Sequence, residues 1–291
     1  MKIACIGVGN MGGAVARRLA TSKDFNVTVF DLSADAIQKC VAVGAAPADS
    51  VATAVDGAEV ILTSLPTTKL VIDTVTSLLP LITEEAVIVD ISTIDPMTAV
   101  EALDLSSAAD RRFIACPLGK TPGHAENGEI PLFVGGDQDV IATLQPLFDR
   151  MGEKTYNFGT VEAATTFKLV SNFIGMTNVA VLAEGLSIAL KAGITAEAFT
   201  EALAETGAKS FQSDVRLSWM INEDWAPRFG INLAAKDVRL AVESATTWGI
   251  PVPVGSAALA QLQEASGLGY GNEDVVALVK LVAANDAAVA S

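Results

Sequence analysis

A glycine-rich turn near the N-terminus constrains the fold of this chain more than any other feature. The run Lys2–Gly7 is typical of a β-strand, and it leads into the turn Gly7-Val8-Gly9-Asn10-Met11-Gly12. A helix-forming stretch, Ala14–Ala20, follows directly. Glycines at these positions permit a tight turn and let the backbone approach a pyrophosphate, which the N–H groups at the start of the helix bind. The pattern therefore predicts a dinucleotide-binding strand–turn–helix unit.

The next strand-like run, Asn26–Phe30, is followed by Asp31. An acidic residue at this point hydrogen-bonds the ribose 2′-hydroxyl of a bound dinucleotide and repels a 2′-phosphate. The following residues, Leu32 and Ser33, supply no arginine to receive such a phosphate. The sequence thus predicts NAD rather than NADP as the cofactor. A glycine turn followed by a solvated aspartate is the alternative, because glycine-rich turns alone are common.

Short β-rich runs alternate with Ala-rich helical stretches through the first half of the chain, which predicts βαβ units and a parallel sheet with helices on both faces. From residue 161 the pattern is helical, and Val161 to Ala192 reads as one helix without proline. We therefore expect an α/β Rossmann domain over residues 1–160, which binds NAD. A long interdomain helix joins it to an all-helical domain for substrate binding and oligomerisation over residues 161–291. The further predicted strands are Glu59–Leu65, Ala86–Ile91, Phe113–Cys116 and Leu132–Gly135, and the later predicted helices are Ala196–Glu205, Ser213–Glu223, Leu233–Trp248, Val254–Ala265 and Glu273–Asn285.

Composition narrows the class of protein. The chain has 291 residues and a formal net charge of −15. It has no basic stripe to neutralise phosphates, so we predict no nucleic-acid partner. Charged residues interrupt the long apolar stretches, which argues against membrane association. Three cysteines without paired spacing, Cys5, Cys40 and Cys116, indicate buried reduced thiols in a cytoplasmic protein. The single histidine, His124, cannot build a multi-histidine site, and we predict no metal.

Hydride transfer leaves a proton to be moved at the substrate oxygen, which requires a general acid or base. Lys168 is the prominent candidate because it interrupts an apolar stretch near the start of the long predicted helix. A low-dielectric environment lowers the pKa of a lysine toward neutrality. Asn172 lies one turn further along the same face of the helix. The alternative is that Lys168 extends to solvent, and Lys236, which precedes Asp237, is open to the same two interpretations.

Further motifs occur in order along the chain: Ser64-Leu65-Pro66, Asp90-Ile91-Ser92-Thr93, Gly128 with Phe133-Val134-Gly135-Gly136, Lys168 with Asn172, and Phe229 through Lys236-Asp237. Together with the glycine turn they resemble the β-hydroxyacid dehydrogenase family, which includes 3-hydroxyisobutyrate dehydrogenases, tartronate semialdehyde reductases and sulfolactaldehyde reductases. The resemblance covers essentially the whole chain.

The resemblance implies a role for each matching residue. Those that would hold the pyrophosphate of NAD are Gly7, Gly9, Asn10, Met11 and Gly12. Those that would line the rest of the cofactor site are Leu65, Pro66, Thr93 and, beside the nicotinamide in a cleft between the two domains, Lys236. Lys168 resembles the catalytic lysine of the family, and Asn172 resembles its substrate-binding asparagine.

One loop departs from the family pattern. Family members usually carry Ser-Gly-Gly after the proline of the substrate loop, whereas Gly119-Lys120-Thr121 follows Pro117-Leu118 here. The loop is similar to the Gly-Arg-Thr of sulfolactaldehyde reductases, in which the basic residue meets a sulfonate, although lysine is a compact charge and not a bidentate fork. We therefore expect Gly119, Lys120 and Thr121 to bind the acidic end of a small anionic substrate. Alternatively, Lys120 points to solvent and backbone N–H groups bind that end. His124 lies in the same loop, and we expect it to pack within the loop, with a substrate contact as the alternative.

Taken together, the motifs predict an NAD-dependent oxidoreductase that transfers hydride between NAD(H) and a small anionic hydroxy acid or aldehyde. Sulfolactaldehyde is the favoured substrate, and 3-hydroxyisobutyrate, tartronate semialdehyde and succinic semialdehyde are the alternatives. A non-catalytic NAD(H)-sensing protein is the alternative of another class, although a sensor needs no proton donor such as Lys168. Imine reductases usually lack this lysine, and a 6-phosphogluconate-type decarboxylase needs a larger basic cluster. The long helix is apolar on several faces, which predicts a homodimer or homotetramer.

Overall fold

The computed structural model describes residues 1–282 of the chain. They form two compact units, Met1–Lys168 and a second unit that begins at Leu169. The first unit is built around a sheet, and the described part of the second is built from helices. The predicted fold class, a Rossmann unit followed by a long helix and a helical region, is confirmed. The division between the units falls inside the long helix, whose first residue is Val161.

One sheet of eight strands runs through the first unit, all of which is described. Its strands are β1 (Lys2–Ile6), β2 (Asn26–Phe30), β3 (Ala46–Pro47), β4 (Val60–Thr63), β5 (Val87–Asp90), β6 (Arg112–Ala115), β7 (Pro131–Gly136) and β8 (Lys154–Asn157). Their spatial order is β3-β2-β1-β4-β5-β6-β7-β8. Strands β2 and β3 lie on one side of β1, and β4 to β8 lie on the other, so the strand order reverses between β1 and β4. Sheets of this kind bind ligands at the carboxyl ends of the strands at such a switch point.

Helices pack on both faces of this sheet. They are α1 (Asn10–Ala20), α2 (Ala34–Val41), α3 (Val51–Val55), α4 (Thr68–Leu78), α5 (Pro96–Ala108), α6 (Pro122–Asn127), α7 (Gln138–Thr143) and α8 (Gln145–Met151). Alternate residues of β1 enter opposite apolar cores: Ile3 and Cys5 belong to one cluster of buried side chains, and Ala4 and Ile6 belong to the other. This alternation follows from the two-residue period of a strand.

The sheet differs from the predicted one at one edge. The sequence predicts a parallel sheet, but β7 is antiparallel to β6. A parallel pair needs a crossover connection, whereas the chain between β6 and β7 contains only the short helix α6 and turns back along β6. The prediction also omits β3, which has two residues, and β8, whose side chains are largely exposed. Both are too short or too polar to show the alternation of a half-buried strand.

The second unit continues the long helix α9 (Val161–Lys191) with α10 (Ala196–Ala204), α11 (Phe211–Ile221), α12 (Ile231–Thr247) and α13 (Pro253–Ala265). These bounds lie within two residues of the predicted helices. The last predicted helix, Glu273–Asn285, begins too early, because Val275–Ala277 is a 3-10 turn and α-helical residues start at 278. The end of that predicted helix lies outside the described residues.

Helix α9 is unusually apolar along its length. Its most apolar 18-residue window has a mean hydropathy of 1.6, so that by length and composition alone it passes the test for a membrane span. Within the second unit, however, Met176, Val179 and Leu186 are buried in one apolar cluster with residues of α11, α12 and α13. Packing in the core of the helical unit therefore accounts for this side of α9.

A buried ion pair secures the chain before α12. The Asp274 side chain is fully buried, and its Oδ1 accepts a hydrogen bond from Arg216 Nη1 at 2.6 Å. Its Oδ2 accepts from the Phe229 N–H at 2.8 Å, and the Asp274 N–H donates to the Trp225 carbonyl at 3.1 Å. The Asp274 carboxylate thus connects α11 to Phe229, and the Asp274 backbone N–H connects to Trp225, immediately before Gly230, the N-cap of α12.

We expect Arg216→Met to lower the free energy of unfolding by about 3–5 kcal/mol, because it leaves the Asp274 charge buried without its cation. Urea unfolding followed by tryptophan fluorescence measures this, since Trp219, Trp225 and Trp248 are the three tryptophans and all lie in the second unit. The control is Arg239→Met, which removes an exposed ion pair with Glu243 and costs less than about 1 kcal/mol. Equal losses in the two variants would contradict a structural role for the buried pair.

Candidate active site

The glycine turn after β1 packs too closely for side chains at two of its positions. Gly7 has a φ of +85°, and a Cβ atom there would lie 2.3 Å from the Ser64 carbonyl oxygen. A Cβ atom on Gly12 would lie 2.2 Å from the Gly7 carbonyl oxygen. Both glycines are therefore required by the protein's own packing, which brings the start of α1 directly against the segment after β4.

Gly9 is different, because a Cβ atom built on it meets nothing within 4 Å. It is the N-cap of α1, its φ is −62°, and neither a side-chain cap nor an acidic residue occupies the first turn of this fully described helix. Neither packing nor backbone conformation demands a glycine here. A bare helix N-terminus with an open approach fits the pyrophosphate of a dinucleotide, with Asn10 and Met11 as the first residues of the helix.

Asp31 follows β2 and faces the same turn. Its Oδ2 accepts a hydrogen bond from the Val8 N–H at 2.7 Å, and its Oδ1 accepts from the Ser33 N–H at 2.8 Å. Each oxygen keeps acceptor capacity for a hydroxyl group, since a carboxylate has about four lone-pair sites. The adjacent Leu32 side chain is 96% exposed. The position fits the ribose end of NAD, as the sequence predicts.

The predicted residues Leu65, Pro66 and Thr93 follow the carboxyl ends of β4 and β5, and β4 is next to β1 in the sheet. The Leu65 N–H donates a hydrogen bond to Ser92 Oγ at 2.9 Å, so the two segments are connected. The structure thus brings the predicted cofactor residues of the first unit to one edge of the sheet.

Lys168 lies in α9 and is 9% exposed, so it does not extend to solvent as the alternative interpretation requires. The residue before it, Phe167, stacks on Phe158 with ring centroids 4.6 Å apart and meets Phe133 edge-on at 4.7 Å. This aromatic cluster holds the first turns of α9 against the end of the sheet. A buried lysine on a fixed helix has the setting of a proton donor or acceptor.

Asn172 and Lys236 meet at a third residue, Asp237, which is 1% exposed. Asp237 Oδ2 accepts a hydrogen bond from Asn172 Nδ2 at 2.6 Å, and Asp237 Oδ1 lies 2.9 Å from Lys236 Nζ. The sequence assigns no role to Asp237. The signal was present in the Lys-Asp pair itself, because an acid beside a lysine on a buried helix face is a candidate to orient it.

The predicted substrate loop is held at both ends. A Cβ atom on Gly119 would lie 2.6 Å from Pro131 Cγ, and the Gly119 N–H donates to the Pro131 carbonyl at 3.0 Å. Thr121 is the N-cap of α6, and its hydroxyl lies 2.7 Å from His124 Nδ1. The histidine therefore packs within the loop, as one interpretation of the sequence has it.

Lys120, between them, adopts a left-handed backbone with a φ of +62°, which costs a non-glycine residue about 1–2 kcal/mol. Its ammonium group donates to the Glu129 carbonyl at 2.6 Å and to Glu153 Oε1 at 2.6 Å. Two of its three N–H groups are thus engaged by the protein, a contact that the sequence does not predict. Its predicted role in substrate binding stays a prediction.

The three cysteines are buried and free. Burial raises the pKa of the Cys5 and Cys116 thiols far above the usual range. The nearby Asp90 carboxylate raises the pKa of Cys116 further. Burial also raises the pKa of Cys40. Thiols that stay protonated at neutral pH are poor nucleophiles, which agrees with the structural role expected of them.

Comparison with known protein families identifies the family of this chain. Residues 2–159 match a family model described as the NAD binding domain of 6-phosphogluconate dehydrogenase. Residues 163–282 match one described as NAD-binding of NADP-dependent 3-hydroxyisobutyrate dehydrogenase. The chain belongs to the β-hydroxyacid dehydrogenase family. Members of this family are nicotinamide-dependent oxidoreductases, and the chain is an enzyme of that type.

Individual relatives in the family carry different substrate names. The chain is 27% identical to 2-(hydroxymethyl)glutarate dehydrogenase of Eubacterium barkeri, over 97% of this chain and 94% of the relative. It is 28% identical to 3-sulfolactaldehyde reductase of Escherichia coli, over 96% of this chain and 95% of the relative. Among solved structures, 3-hydroxyisobutyrate dehydrogenase of Mycobacterium tuberculosis superposes with a TM-score of 0.87 at 24% identity, over 97% of this chain and 98% of that one, which establishes the shared fold.

We expect the enzyme to prefer NAD over NADP, because the Asp31 carboxylate repels a 2′-phosphate. The double variant Asp31→Ser, Leu32→Arg removes that charge and supplies a basic partner, so it narrows or reverses the preference. The ratio of kcat/KM for NADH and NADPH measures it. Equal use of both cofactors by the unmodified enzyme would show that the 2′-phosphate avoids the carboxylate.

Proposed function

We propose that this family member interconverts a small anionic hydroxy acid and its aldehyde, with NAD as cofactor and Lys168 as the proton-transferring residue. The observation that carries the proposal is the burial of Lys168 in α9, one turn before Asn172, whose side chain is fixed by Asp237. A lysine is seldom buried to this extent, and a low-dielectric setting is one in which a lysine serves in proton transfer. We propose residues 1–160 as the NAD-binding domain and residues 161–291 as the substrate and oligomerisation domain.

The cofactor, when bound, supplies the hydride acceptor or donor. We assign the remaining work to the chain's own residues. Lys168 takes the hydroxyl proton during oxidation and returns it during reduction, and its ammonium form stabilises negative charge on the substrate oxygen. Asn172 donates a hydrogen bond to the substrate, and Asp237 orients both Asn172 and Lys236. The glycine turn and Asp31 hold the two ends of the adenosine diphosphate part of NAD.

The choice of substrate rests on the Gly119-Lys120-Thr121 loop. Relatives at nearly equal identity are named for hydroxymethylglutarate, sulfolactaldehyde, L-serine and 3-hydroxyisobutyrate, so identity does not discriminate among them. We keep sulfolactaldehyde as the favoured substrate because a lysine in this loop suits a permanently charged sulfonate. The contact with Glu153 offsets part of that charge, which keeps 3-hydroxyisobutyrate and the tartronate and succinic semialdehydes as alternatives. We also propose that the enzyme acts in the cytoplasm, where its three cysteines stay reduced.

The proposal is tested by following NADH oxidation with sulfolactaldehyde, methylmalonate semialdehyde, tartronate semialdehyde and succinic semialdehyde. Activity with at least one of them is expected. Lys168→Ala is then expected to lower the turnover rate at least about a hundredfold, the lower end of general acid–base contributions, with NADH affinity nearly unchanged. A variant that keeps more than about a tenth of the turnover would remove Lys168 from the proton transfer.

Lys120 and Glu153 form a matched pair for testing the anionic pocket. Lys120→Ala is expected to raise the KM of the anionic aldehyde by about one to two orders of magnitude, the scale of a charged hydrogen bond. We expect the unmodified enzyme to act poorly on a neutral aldehyde such as propanal, which offers no charge to Lys120, and we expect Lys120→Ala to leave that rate nearly unchanged. Glu153→Gln keeps a hydrogen-bond acceptor for Lys120 but removes the competing charge, so it lowers that KM. The control is Glu129→Gln, because Glu129 meets Lys120 through its carbonyl and not its carboxylate. If Lys120→Ala lowers kcat/KM equally for the charged and the neutral aldehyde, Lys120 only maintains the shape of the loop.

We also propose that α9 joins two copies of the chain. Its exposed apolar side chains Phe167, Ile174, Val181 and Ile188 are 38–70% exposed and recur every seven residues, the spacing of a helix face that packs against another helix. A second copy of the same helix supplies a self-complementary partner for such a stripe.

We therefore expect a dimer or a tetramer at micromolar concentration, and we expect Val181→Glu to dissociate it, because a charge in an apolar interface is desolvated without a partner. Sedimentation or light scattering measures the mass. Leu70→Glu is the control, since it places the same charge on an exposed leucine of α4. A monomeric wild-type chain would contradict the proposal.

A further inference from the structure

A buried carboxylate at the end of β5 lies under the proposed cofactor site. Asp90 is 1% exposed, and its Oδ1 accepts a hydrogen bond from Thr63 Oγ1 at 2.7 Å and another from Ser92 Oγ at 2.7 Å. Thr63 is the last residue of β4 and Ser92 follows β5, so the two hydroxyl donors come from neighbouring strands or their ends. Neither Asp90 nor Ser92 takes part in the proton transfer proposed for Lys168.

The two hydroxyl groups differ in what they do next. Ser92 Oγ also accepts the Leu65 N–H at 2.9 Å, so this hydroxyl donates to Asp90 and accepts from Leu65 at once. Donation to a charged oxygen fixes the direction of the Ser92 proton and leaves its lone pairs toward Leu65. Thr63 Oγ1 donates to the same Asp90 oxygen, but this bond joins the end of β4 to the end of β5, whereas the Ser92 hydroxyl also accepts the Leu65 N–H beyond β4.

That segment is also the surface against which the glycine turn packs. A Cβ atom on Gly7 would lie 2.3 Å from the Ser64 carbonyl oxygen, and one on Gly12 would lie 2.6 Å from Ser64 Cβ. A displacement of Ser64 and Leu65 by a few tenths of an ångström is therefore transmitted to the turn that precedes α1. Positions in such close contact do not move independently.

We propose that Ser92, oriented by Asp90, is a positioning residue for the cofactor: it sets the place of Leu65 and, through Ser64, of the glycine turn. The inference rests on nicotinamide binding, which family membership establishes, and it does not depend on the substrate or on Lys168. It predicts that loss of the Ser92 hydroxyl weakens cofactor binding more than loss of the Thr63 hydroxyl, although both bond the same carboxylate oxygen.

The experiment compares Ser92→Ala with Thr63→Val by titrating each full-length variant with NADH and following nicotinamide fluorescence, without turnover. We expect the Kd for NADH to rise about tenfold in Ser92→Ala, the effect of leaving a part-buried N–H unpaired next to the site, and by less than about twofold in Thr63→Val. Ser92→Thr keeps the hydroxyl and is expected to restore most of the affinity.

Thermal midpoints of both variants separate this role from general destabilisation. Similar losses of Tm with a Kd change confined to Ser92→Ala support the proposal. Equal increases of Kd in the two variants, or wild-type affinity in Ser92→Ala, overturn it. If Ser92→Ala does not fold, a Kd in Ser92→Thr within about twofold of Thr63→Val supports the proposal, and a Kd raised well beyond that of Thr63→Val overturns it. Absence of NADH binding by the wild-type chain is a separate result, because it refutes cofactor use itself.

Discussion

The close approach of two backbone segments, with no room for a single carbon atom between them, is the constraint on which this site depends. Gly7 and Gly12 let the turn after β1 lie directly on Ser64 after β4. Only then does α1 begin at the carboxyl edge of the sheet with its N-terminus unobstructed. The N-terminus of α1 favours anions, and the close packing of the turn fixes the direction in which its N–H groups point.

Three carboxylates, two in the first unit and one in the second, each receive their donors in a different way. Asp31 accepts two backbone N–H groups from separate segments, Asp90 accepts two hydroxyl groups, and Asp237 receives an amide and an ammonium group. A carboxylate with two or more donors is held in one orientation, because a rotation that improves one bond worsens the other. In a chain with a net charge of −15, these acids serve local geometry more than bulk charge.

Features carried by short stretches of sequence could be predicted, and features that depend on pairing between distant segments could not. The glycine turn, Asp31 and the extent of α9 follow from local patterns. The antiparallel β7 and the contact of Lys120 with Glu153 depend on how β7 and β8 pair, since Glu153 precedes β8 and its N–H donates to the Ile130 carbonyl just before β7. Asp237 was visible as a neighbour of Lys236, but only the packing of α9 on α12 brings Asn172 to it.

The buried cysteines have a consequence for experiments in solution. All three thiols lie in the sheet unit, at or beside β1, α2 and β6, and each is closed to reagents in the folded state. Alkylation of a thiol by a small electrophile therefore requires that unit to open, so its rate reports the opening equilibrium of the Rossmann core. The three tryptophans belong to the helical unit alone. Thiol alkylation therefore reports on the sheet unit and tryptophan fluorescence reports on the helical unit, and neither measurement needs an introduced label.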